Sequence, residues 1–218
     1  MRVEQIPPIE AKPWILKRHY AHRMPCVQYA FGLFVDSDCV GVATFGTTSV
    51  NSAAVAICGD LWADKVFELN RLCVDANDDN ACSFLVSHSI KLLPQPSLLV
   101  SYADSGAGHV GYIYQATNWI YTGVSRGDTE WTVDGQLLHR KGVYDRFGTS
   151  NRQHIEGLGH IVTLHKQGDK HRYVYFSGNK TERRAMQKAL RYKVLTYPKG
   201  DTKHYDASAE IETQGVLF

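Results

Sequence analysis

The order of strand-like and helix-like segments constrains the fold of this chain more than any other feature of its sequence. Residues 9–20 carry apolar side chains at helical spacing, whereas 27–35 and 39–45 are rich in β-branched and aromatic residues around a turn at 36–38. Residues 46–65 read as a loop. The same criteria predict these further segments: a strand at 66–74, a helix at 81–93, a strand at 98–102, a helix leading into a strand at 108–121, strands at 136–140, 159–166 and 171–176, and a basic helix at 181–190. The pattern predicts an α/β domain, with a mixed sheet flanked by helices.

Charged residues are strongly segregated along the chain. Residues 135–205 contain 15 lysines and arginines against 5 aspartates and glutamates, whereas 1–134 contain 9 against 14 and 206–218 contain none against 3. The net charge of +2 therefore includes one strongly basic segment, in which aromatic residues are interleaved. Basic side chains contact phosphates and aromatic rings stack on bases, so the segment indicates a nucleic-acid partner. An ordinary solvated surface is the alternative.

Length and composition limit the other possibilities. With 218 residues, 44% hydrophobic and 21% charged, the chain is neither disordered nor fibrous. Its five scattered cysteines, without a C-x-x-C pair, indicate buried thiols rather than a disulfide framework or a zinc knuckle. No apolar run approaches the roughly 18 to 20 residues of a membrane helix, so we expect a cytoplasmic protein without a membrane partner. The expected organisation is a single domain over 1–218, in which 135–205 form a basic nucleic-acid-binding elaboration and 206–218 an acidic tail.

The predicted elements follow the order of the acyl-CoA N-acyltransferase (GNAT) fold: helix, hairpin, strand, helix, strand, helix and strand. Several long strings make the resemblance more specific, and they span roughly residues 9–200: KRHYAHRMP (17–25), YAFGLF (29–34), FELNRLCV (67–74), VSYAD (100–104), GHVGYIYQATNWIYTG (108–123), KHRYVYF (170–176) and LRYKVLTYPKG (190–200). In these strings the chain resembles the Mom family of phage DNA-modification enzymes. The resemblance implies a GNAT-like fold and the conversion of adenine in duplex DNA to N6-carbamoylmethyladenine, which protects phage DNA from host restriction.

That activity requires a pocket for an adenine taken out of the stacked duplex, because N6 lies on the Watson-Crick edge. Tyr114 and Asn118 would share a helix face at i,i+4 and line this pocket. Asp104 directly follows a buried strand, where ligands collect in α/β sheets, and is the first candidate for the base that accepts an N6 proton. Capping of the following helix is its alternative role. His19 and Tyr20 would act as acid, base or orienting donor, or else lie on the surface.

A second group of polar residues indicates a site for the donor of the transferred group. Asn70 and Arg71 interrupt an apolar strand, which indicates a cavity, a partner or an anion. Arg71 would hold a phosphate or carboxylate of the donor, or pair with Glu68. Ser83 is the third candidate donor-binding residue. A metal site is the weaker alternative, because no paired-ligand spacing supports it. Its ligands would come from this set: His19, Tyr20, Asp36, Glu68 and Asp104.

The product itself argues for a particular donor. GNAT proteins hold the CoA pyrophosphate on a loop before the central helix. Here that loop would be 75–81, which has three aspartates, no glycine and no basic residue, and this disfavours acetyl-CoA. A carbamoylmethyl group has the composition of a glycyl residue and contains a nitrogen that an acetyl group lacks. An activated glycine, most plausibly glycyl-tRNA, is therefore the favoured donor, and acetyl-CoA is the alternative. Duplex DNA and tRNA become the two expected partners.

Cations of the basic segment and of a smaller N-terminal group are the candidate nucleic-acid contacts. They are Arg18, Arg23, Arg140, Lys141, Arg172, Arg183, Arg184 and Arg191. Two other functions stay open. One is an acetyl-CoA-dependent acyltransferase acting on DNA or another amine, and the other is a DNA-binding protein without enzymatic activity. A methyltransferase is disfavoured because no G-x-G-x-x-G follows the first strand.

Overall fold

The structure, a computed structural model, describes residues 1–48, 51–75, 80–127, 129–138 and 140–200, apart from the side chain of Lys141. The strands are β1 (Arg2–Ile6), β2 (Tyr29–Val35), β3 (Asp38–Gly46), β4 (Val66–Val74), β5 (Ser97–Asp104), β6 (Ile120–Ser125), β7 (Thr129–Val133), β8 (Gln136–Leu138), β9 (Val162–Lys166) and β10 (Lys170–Ser177). The helices are α1 (Pro8–Lys17), α2 (Asn51–Cys58), α3 (Asp60–Ala63), α4 (Ala81–Leu92), α5 (Tyr112–Ala116), α6 (Arg140–Phe147), α7 (Arg152–Gly157) and α8 (Lys180–Ala189). Contacts divide the chain into two compact units, the first formed by 1–102, 111–123 and the residues from 172 onward, the second by 103–110 and 124–171.

The main sheet has seven strands in the order β1-β2-β3-β4-β5-β10-β6. β1 to β4 pair antiparallel with their neighbours and β4 pairs parallel with β5, so the sheet is mixed. Ile15 of α1 is buried against the first strands, whereas Ile57 of α2 and Met186 of α8 share one buried cluster with Val66 and Val174. The predicted mixed α/β fold is confirmed. Its element order of α1, the β2–β3 hairpin, β4, α4, β5, α5 and β6 is present, with further elements between.

The interpretation of residues 46–65 as a loop is wrong, because this stretch contains α2 and α3. Ala54, Ile57 and Cys58 are spaced i, i+3 and i+4 and are all buried, so one face of α2 joins the core. Of the turn-forming residues, Gly46 is the last residue of β3, and Gly59 lies between the end of α2 and the start of α3. They end elements rather than fill a loop. The sequence analysis also missed the strands and helices β1, β7, α6 and α7.

The second unit is built on a three-stranded sheet in the order β8-β7-β9. A buried cluster joins the sheet to α6 and α7; its members are Trp131, Val133, Val143, Ile155 and Val162. Residues 135–171 of the basic segment belong to this unit, and the segment from 172 onward belongs to the first unit. The organisation as a single domain with a basic elaboration over 135–205 stays a prediction, and the acidic tail at 206–218 lies outside the described residues.

Asp134 connects the β7–β8 turn to the residues before β9. Its carboxylate accepts a hydrogen bond from the Ile161 amide at 2.9 Å and lies 2.7 Å from His160 Nδ1. These contacts lower the pKa of the Asp134 carboxyl below its ordinary value, and the hydrogen bond from Ile161 makes the largest contribution. The folded state therefore favours the ionised carboxyl. Asp134 stabilises the protein above its unfolded-state pKa, and this contribution is lost as the pH falls through the folded-state pKa.

We therefore expect Asp134→Asn to make the stability of the β7–β8 hairpin less dependent on pH in the acid range. The asparagine oxygen still accepts from Ile161, and asparagine tolerates the positive φ of 52° at this position. Amide hydrogen exchange of 129–138, followed by mass spectrometry from about pH 5 to about pH 3 after correction for intrinsic rates, should show a smaller loss of protection in the variant than in the wild type. Parallel losses in the two proteins would contradict this role.

Candidate functional site

The parallel strands β4 and β5 separate partway along their length. Their pairing joins Val66–Glu68 to Leu98–Val100. Within the described residues it goes no further, although β4 continues to Val74 and β5 to Asp104. We call the region between the two strands beyond Glu68 the strand opening. Backbone groups that would pair in a continuous sheet must find other partners there.

Ser101 lies at the point where the strands separate. Its Oγ is 2.7 Å from the Leu69 carbonyl oxygen and 2.7 Å from Tyr114 Oη. A carbonyl only accepts, so the single Ser101 proton is donated to Leu69 and the Tyr114 phenol donates to Ser101. Ser101 is fully buried and Tyr114 is only 9% exposed. A buried chain of hydrogen bonds therefore links α5, β5 and β4.

Burial keeps the Tyr114 phenol protonated. Burial raises its pKa above the ordinary value. The hydrogen bond with Ser101 lowers the pKa, whereas nearby Tyr20, Glu68 and Tyr173 raise it further. At neutral pH the group is a hydrogen-bond donor rather than a base. The aromatic rings of Trp119 and Tyr173 pack beside it, with ring centroids 5.2 and 5.1 Å away.

Asn70 forms a bulge in β4, because the β3–β4 register passes from Leu69 opposite Phe45 to Arg71 opposite Thr44. The Asn70 Nδ2 donates to the Cys26 carbonyl at 2.9 Å and its Oδ1 accepts from the Thr44 hydroxyl at 2.6 Å. Both ends of the amide are thus used within the protein. A bulge redirects the side chains around it, which places Arg71 beside the strand opening.

The Arg71 guanidinium is fixed by backbone carbonyls. Nε and Nη2 donate to the Arg23 carbonyl at 3.3 and 3.1 Å, and Nη1 donates to the Asn70 carbonyl at 2.6 Å. Burial lowers the pKa of Arg71, and the nearby Tyr20 and Glu68 oppose this shift. A guanidinium has five N–H donors, of which these bonds use three. Over the described residues, the other two N–H groups of Arg71 make no hydrogen bond, and its role in holding a donor stays a prediction.

His19 and Tyr20 follow α1 and differ in exposure. His19 is 5% exposed, so its predicted alternative of a surface position is wrong, whereas Tyr20 is 42% exposed. The two rings stack with centroids 4.4 Å apart. His19 Nδ1 accepts from the Ala21 amide at 3.1 Å, so a neutral His19 carries its proton on Nε2 and is a donor in this geometry. Tyr20 is close enough to Arg71 and Tyr114 to shift the pKa of both.

Glu68 is the carboxylate nearest the start of the strand opening, and the sequence analysis did not propose it as a base. It is half-buried and pairs with Val100 at the last step of the parallel ladder. Burial raises the pKa of Tyr102 to about 12, and the Glu68 charge adds to this shift as it does for Tyr114. The sequence did contain a signal that could have identified Glu68 as a candidate. Glu68 interrupts the same apolar run as Asn70 and Arg71.

The predicted pairing of Tyr114 with Asn118 on one helix face is wrong. α5 ends at Ala116, and Asn118 is exposed with a left-handed φ of 60°. The buried indole of Trp119 follows immediately, and its amide donates to the Tyr114 carbonyl at 2.9 Å. Burying Trp119 requires the chain to turn at Asn118. The turn ends the helix before an i,i+4 face can form.

Asp104 ends β5 and belongs to the second unit. Its Oδ1 accepts from the Gly106 amide at 2.9 Å, so the carboxylate caps the 3-10 turn Ser105–Ala107. This is the capping role that stood as the alternative to a catalytic base. The assignment of Asp104 as base stays a prediction.

Ser83 lies in the first turn of α4. Its Oγ donates to the Asn80 carbonyl at 2.9 Å. Residues 76–79 of the expected phosphate loop lie outside the described residues, and Asp75 forms an ion pair with Arg18. The acidic character of this loop is therefore partly offset at its first residue.

Two of the predicted DNA-contacting arginines are engaged within the first unit. The Arg172 Nε and Nη2 donate to the Thr122 hydroxyl and carbonyl, both at 2.9 Å, and its guanidinium lies 3.3 Å from the centroid of the Tyr192 ring. Arg191 packs over Gly59, where an added Cβ would be 2.9 Å from its Nη2. These two cations serve the packing of the chain.

The other predicted contacts are distributed over both units. Arg18 pairs with Asp75 and lies over the Trp14 ring at 4.4 Å. Arg23, Arg140, Arg183 and Arg184 are exposed; Lys141 lies in α6, and its side chain is outside the described part. These candidate contacts therefore belong to two different units.

No group of three or more histidines, cysteines, aspartates or glutamates is placed to bind a metal ion in the part of the chain that the structure describes. Over the same residues, no helix is both long and apolar enough to span a membrane.

The fold and the strand opening define a mixed α/β protein with N-acyltransferase element order and a polar site where two parallel strands separate. The chain belongs to the Mom protein family, whose family model matches residues 1–199. The resemblance predicted from the sequence strings is thereby confirmed. Methylcarbamoylase mom of Escherichia phage Mu is 28% identical over 216 residues, covering 91% of this chain and 84% of that protein.

Solved structures similar to this chain include two acetyltransferases. An N-acetyltransferase from Staphylococcus aureus Mu50 is 13% identical, with a TM-score of 0.45, over 80% of this chain and 97% of that one. A Bacillus subtilis acetyltransferase in complex with CoA is 10% identical, with a TM-score of 0.44, over 81% of this chain and 98% of that one.

Proposed function

We propose that this protein is a phage DNA-modification enzyme that converts adenine in duplex DNA to N6-carbamoylmethyladenine, by acyl transfer from an activated glycine, with protection from restriction as the result. The observation that carries the proposal is family membership over residues 1–199. The phage Mu relative is named a methylcarbamoylase, and a methylcarbamoyl group has the same atomic composition as a carbamoylmethyl group. The strand opening supports the proposal because it combines a carboxylate, a protonated phenol and a fixed guanidinium in one region of the first unit.

The chemistry balances without an oxidant or ATP when glycyl-tRNA is the donor. Adenine N6 attacks the ester carbonyl, the bond from the carbonyl carbon to the ribose oxygen breaks, N6 loses a proton and the ribose oxygen gains one. The glycyl amine then attacks ring C6, the bond between C6 and the original N6 breaks, and one proton passes from the glycyl nitrogen to the departing N6. The original N6 becomes the nitrogen of the terminal amide. The product is an isomer of N6-glycyladenine, which matches a carbamoylmethyl group.

Residues of the strand opening supply the groups for the first step. Glu68 accepts the N6 proton. The Tyr114 phenol stays protonated because its pKa is raised, and it exchanges its hydrogen bond to Ser101 for one to the oxyanion that develops on the ester carbonyl. Arg71 directs its two remaining N–H groups to a phosphate of the donor. Tyr20 and the His19 Nε2–H orient the base, and Asp104 is the alternative proton acceptor.

Asn70 and Ser83 have a positioning part in this scheme. Their side chains bond to the protein itself, Asn70 to Cys26 and Thr44, and Ser83 to the Asn80 carbonyl. Acetyl-CoA is the alternative donor. Its acetyl group contains no nitrogen to become the amide of the product, so a second, nitrogen-bearing substrate would be needed.

Isotope-labelled glycine tests the proposed function. Purified protein, a duplex oligonucleotide and tRNA charged with glycine labelled at both carbons and the nitrogen should yield a modified deoxyadenosine that carries all three labels, read by mass spectrometry of the nucleosides. Acetyl-CoA with ammonium is the matched control and should yield none. Modification only in the control would overturn glycine as donor. DNA that is bound but unmodified under both conditions would favour a binding protein.

A further inference from the structure

The excess positive charge of the C-terminal third belongs to one part of the structure. The second unit, residues 103–110 and 124–171, contains 7 lysines and arginines against 7 aspartates and glutamates, whereas 172–200 contain 8 against 1. The second unit is therefore balanced. The excess lies around α8 in the first unit.

α8 displays four cations on one face. Lys180, Arg183, Arg184 and Lys188 are all exposed, and their separations of three, four and eight residues place them in one arc of the helix surface. Lys180, Arg184 and Lys188 lie away from the fully buried Met186, and Arg183 lies at the edge of the arc nearest to it. At a rise of about 1.5 Å per residue, the row extends over about 12 Å. That length is comparable with a short run of phosphates along one DNA strand.

These four cations are not neutralised within the described part of the chain. None of its ion pairs involves them, and the only acidic residue of α8, Glu182, forms a capping box with Asn179. Cations of the second unit are engaged instead. Arg152 pairs with Glu156 at 2.8 Å and Arg146 donates to Gln136 at 3.0 Å. The row on α8 is thus held in place by a capped helix and has its charge available for a ligand.

We propose that the exposed face of α8 binds the phosphate backbone of duplex DNA, and that the second unit contributes little to this binding. The inference rests on the proposed function for the identity of the polyanion. Each phosphate neutralised by a cation releases counterions and adds about 0.9 to the slope of log affinity against log salt. Binding through α8 is therefore steeply dependent on salt and independent of base sequence.

The test compares two variants that lose the same charge. Arg183→Gln/Arg184→Gln/Lys188→Gln removes three cations from α8 and retains helix-forming residues. Arg146→Gln/Arg152→Gln/Lys166→Gln removes three from the second unit. Binding to a fluorescent duplex oligonucleotide is measured by anisotropy from about 50 to about 200 mM salt. The α8 variant should bind at least about 10-fold more weakly, with a slope lower by about 2 to 3, whereas the control should change less than about 3-fold.

Three results would overturn the proposal: unchanged binding by the α8 variant, equal weakening in both variants, or a loss confined to tRNA in a parallel titration. Thermal unfolding checks that both variants fold. Binding is read separately from modification. If the wild type modifies no adenine but binding still depends on α8, the proposed function is rejected and the α8 binding surface is supported. If the wild type modifies adenine but binding does not depend on α8, only the α8 binding surface is rejected.

Discussion

Replacing Glu68 by glutamine should lower the rate of adenine modification by about 10²- to 10⁴-fold, the range found when a general base is lost. Glutamine keeps the size of the side chain and removes its capacity to take a proton. Glu68 is half-buried at the last paired position of β4 and β5, within electrostatic range of Arg71 and Tyr114. The measurement is the rate of formation of modified deoxyadenosine in single-turnover reactions with purified components.

Asp104→Asn is the matched control, since it also replaces a carboxylate by an amide of equal size. The asparagine oxygen can still accept from the Gly106 amide, so the cap of the 3-10 turn is retained. We expect its rate to stay within about 10-fold of the wild type. A large loss in Asp104→Asn with near-normal Glu68→Gln would assign the base to Asp104. Equal losses in the two variants would contradict assignment to one carboxylate.

Local patterns predicted most elements of the first unit because their signals lie in consecutive residues. β4 occupies 66–74 as expected, and the basic helix predicted at 181–190 is α8 at Lys180–Ala189. The strand opening could not be predicted in this way. It depends on where β4 stops pairing with β5, and on the bulge at Asn70, and both are set by residues distant along the chain.

Two site expectations failed or changed because tertiary contacts override local periodicity. Asn118 leaves the helix because Trp119 is buried, and asparagine is one of the few residues that accept a left-handed φ. The basic segment seemed continuous in sequence. β10 returns the chain to the main sheet, so the cations from 172 onward belong to the first unit and those of 124–171 to the second. Charge counted along the chain could not reveal that division.

The hydrogen-bond chain through Ser101 predicts a second large effect, this time on stability as well as rate. Tyr114→Phe removes the phenol donor and should slow modification by about 10²-fold, because the oxyanion loses a hydrogen bond. Ser101 still donates to Leu69 in that variant, so the free energy of unfolding should fall by only about 1 kcal/mol. Single-turnover rates and urea unfolding, each on the same preparation, measure the two effects.

Ser101→Ala should cost more stability, about 2 to 4 kcal/mol, because it leaves both the Leu69 carbonyl and the Tyr114 hydroxyl buried without a partner. Once Ser101 is absent, removing the Tyr114 hydroxyl relieves one of these unpaired groups. The double variant should therefore be destabilised by about 1 to 2 kcal/mol less than the sum of the single variants. Strict additivity in urea unfolding would show that the two hydroxyls do not interact. The strand opening would then need another source for the orientation of Tyr114.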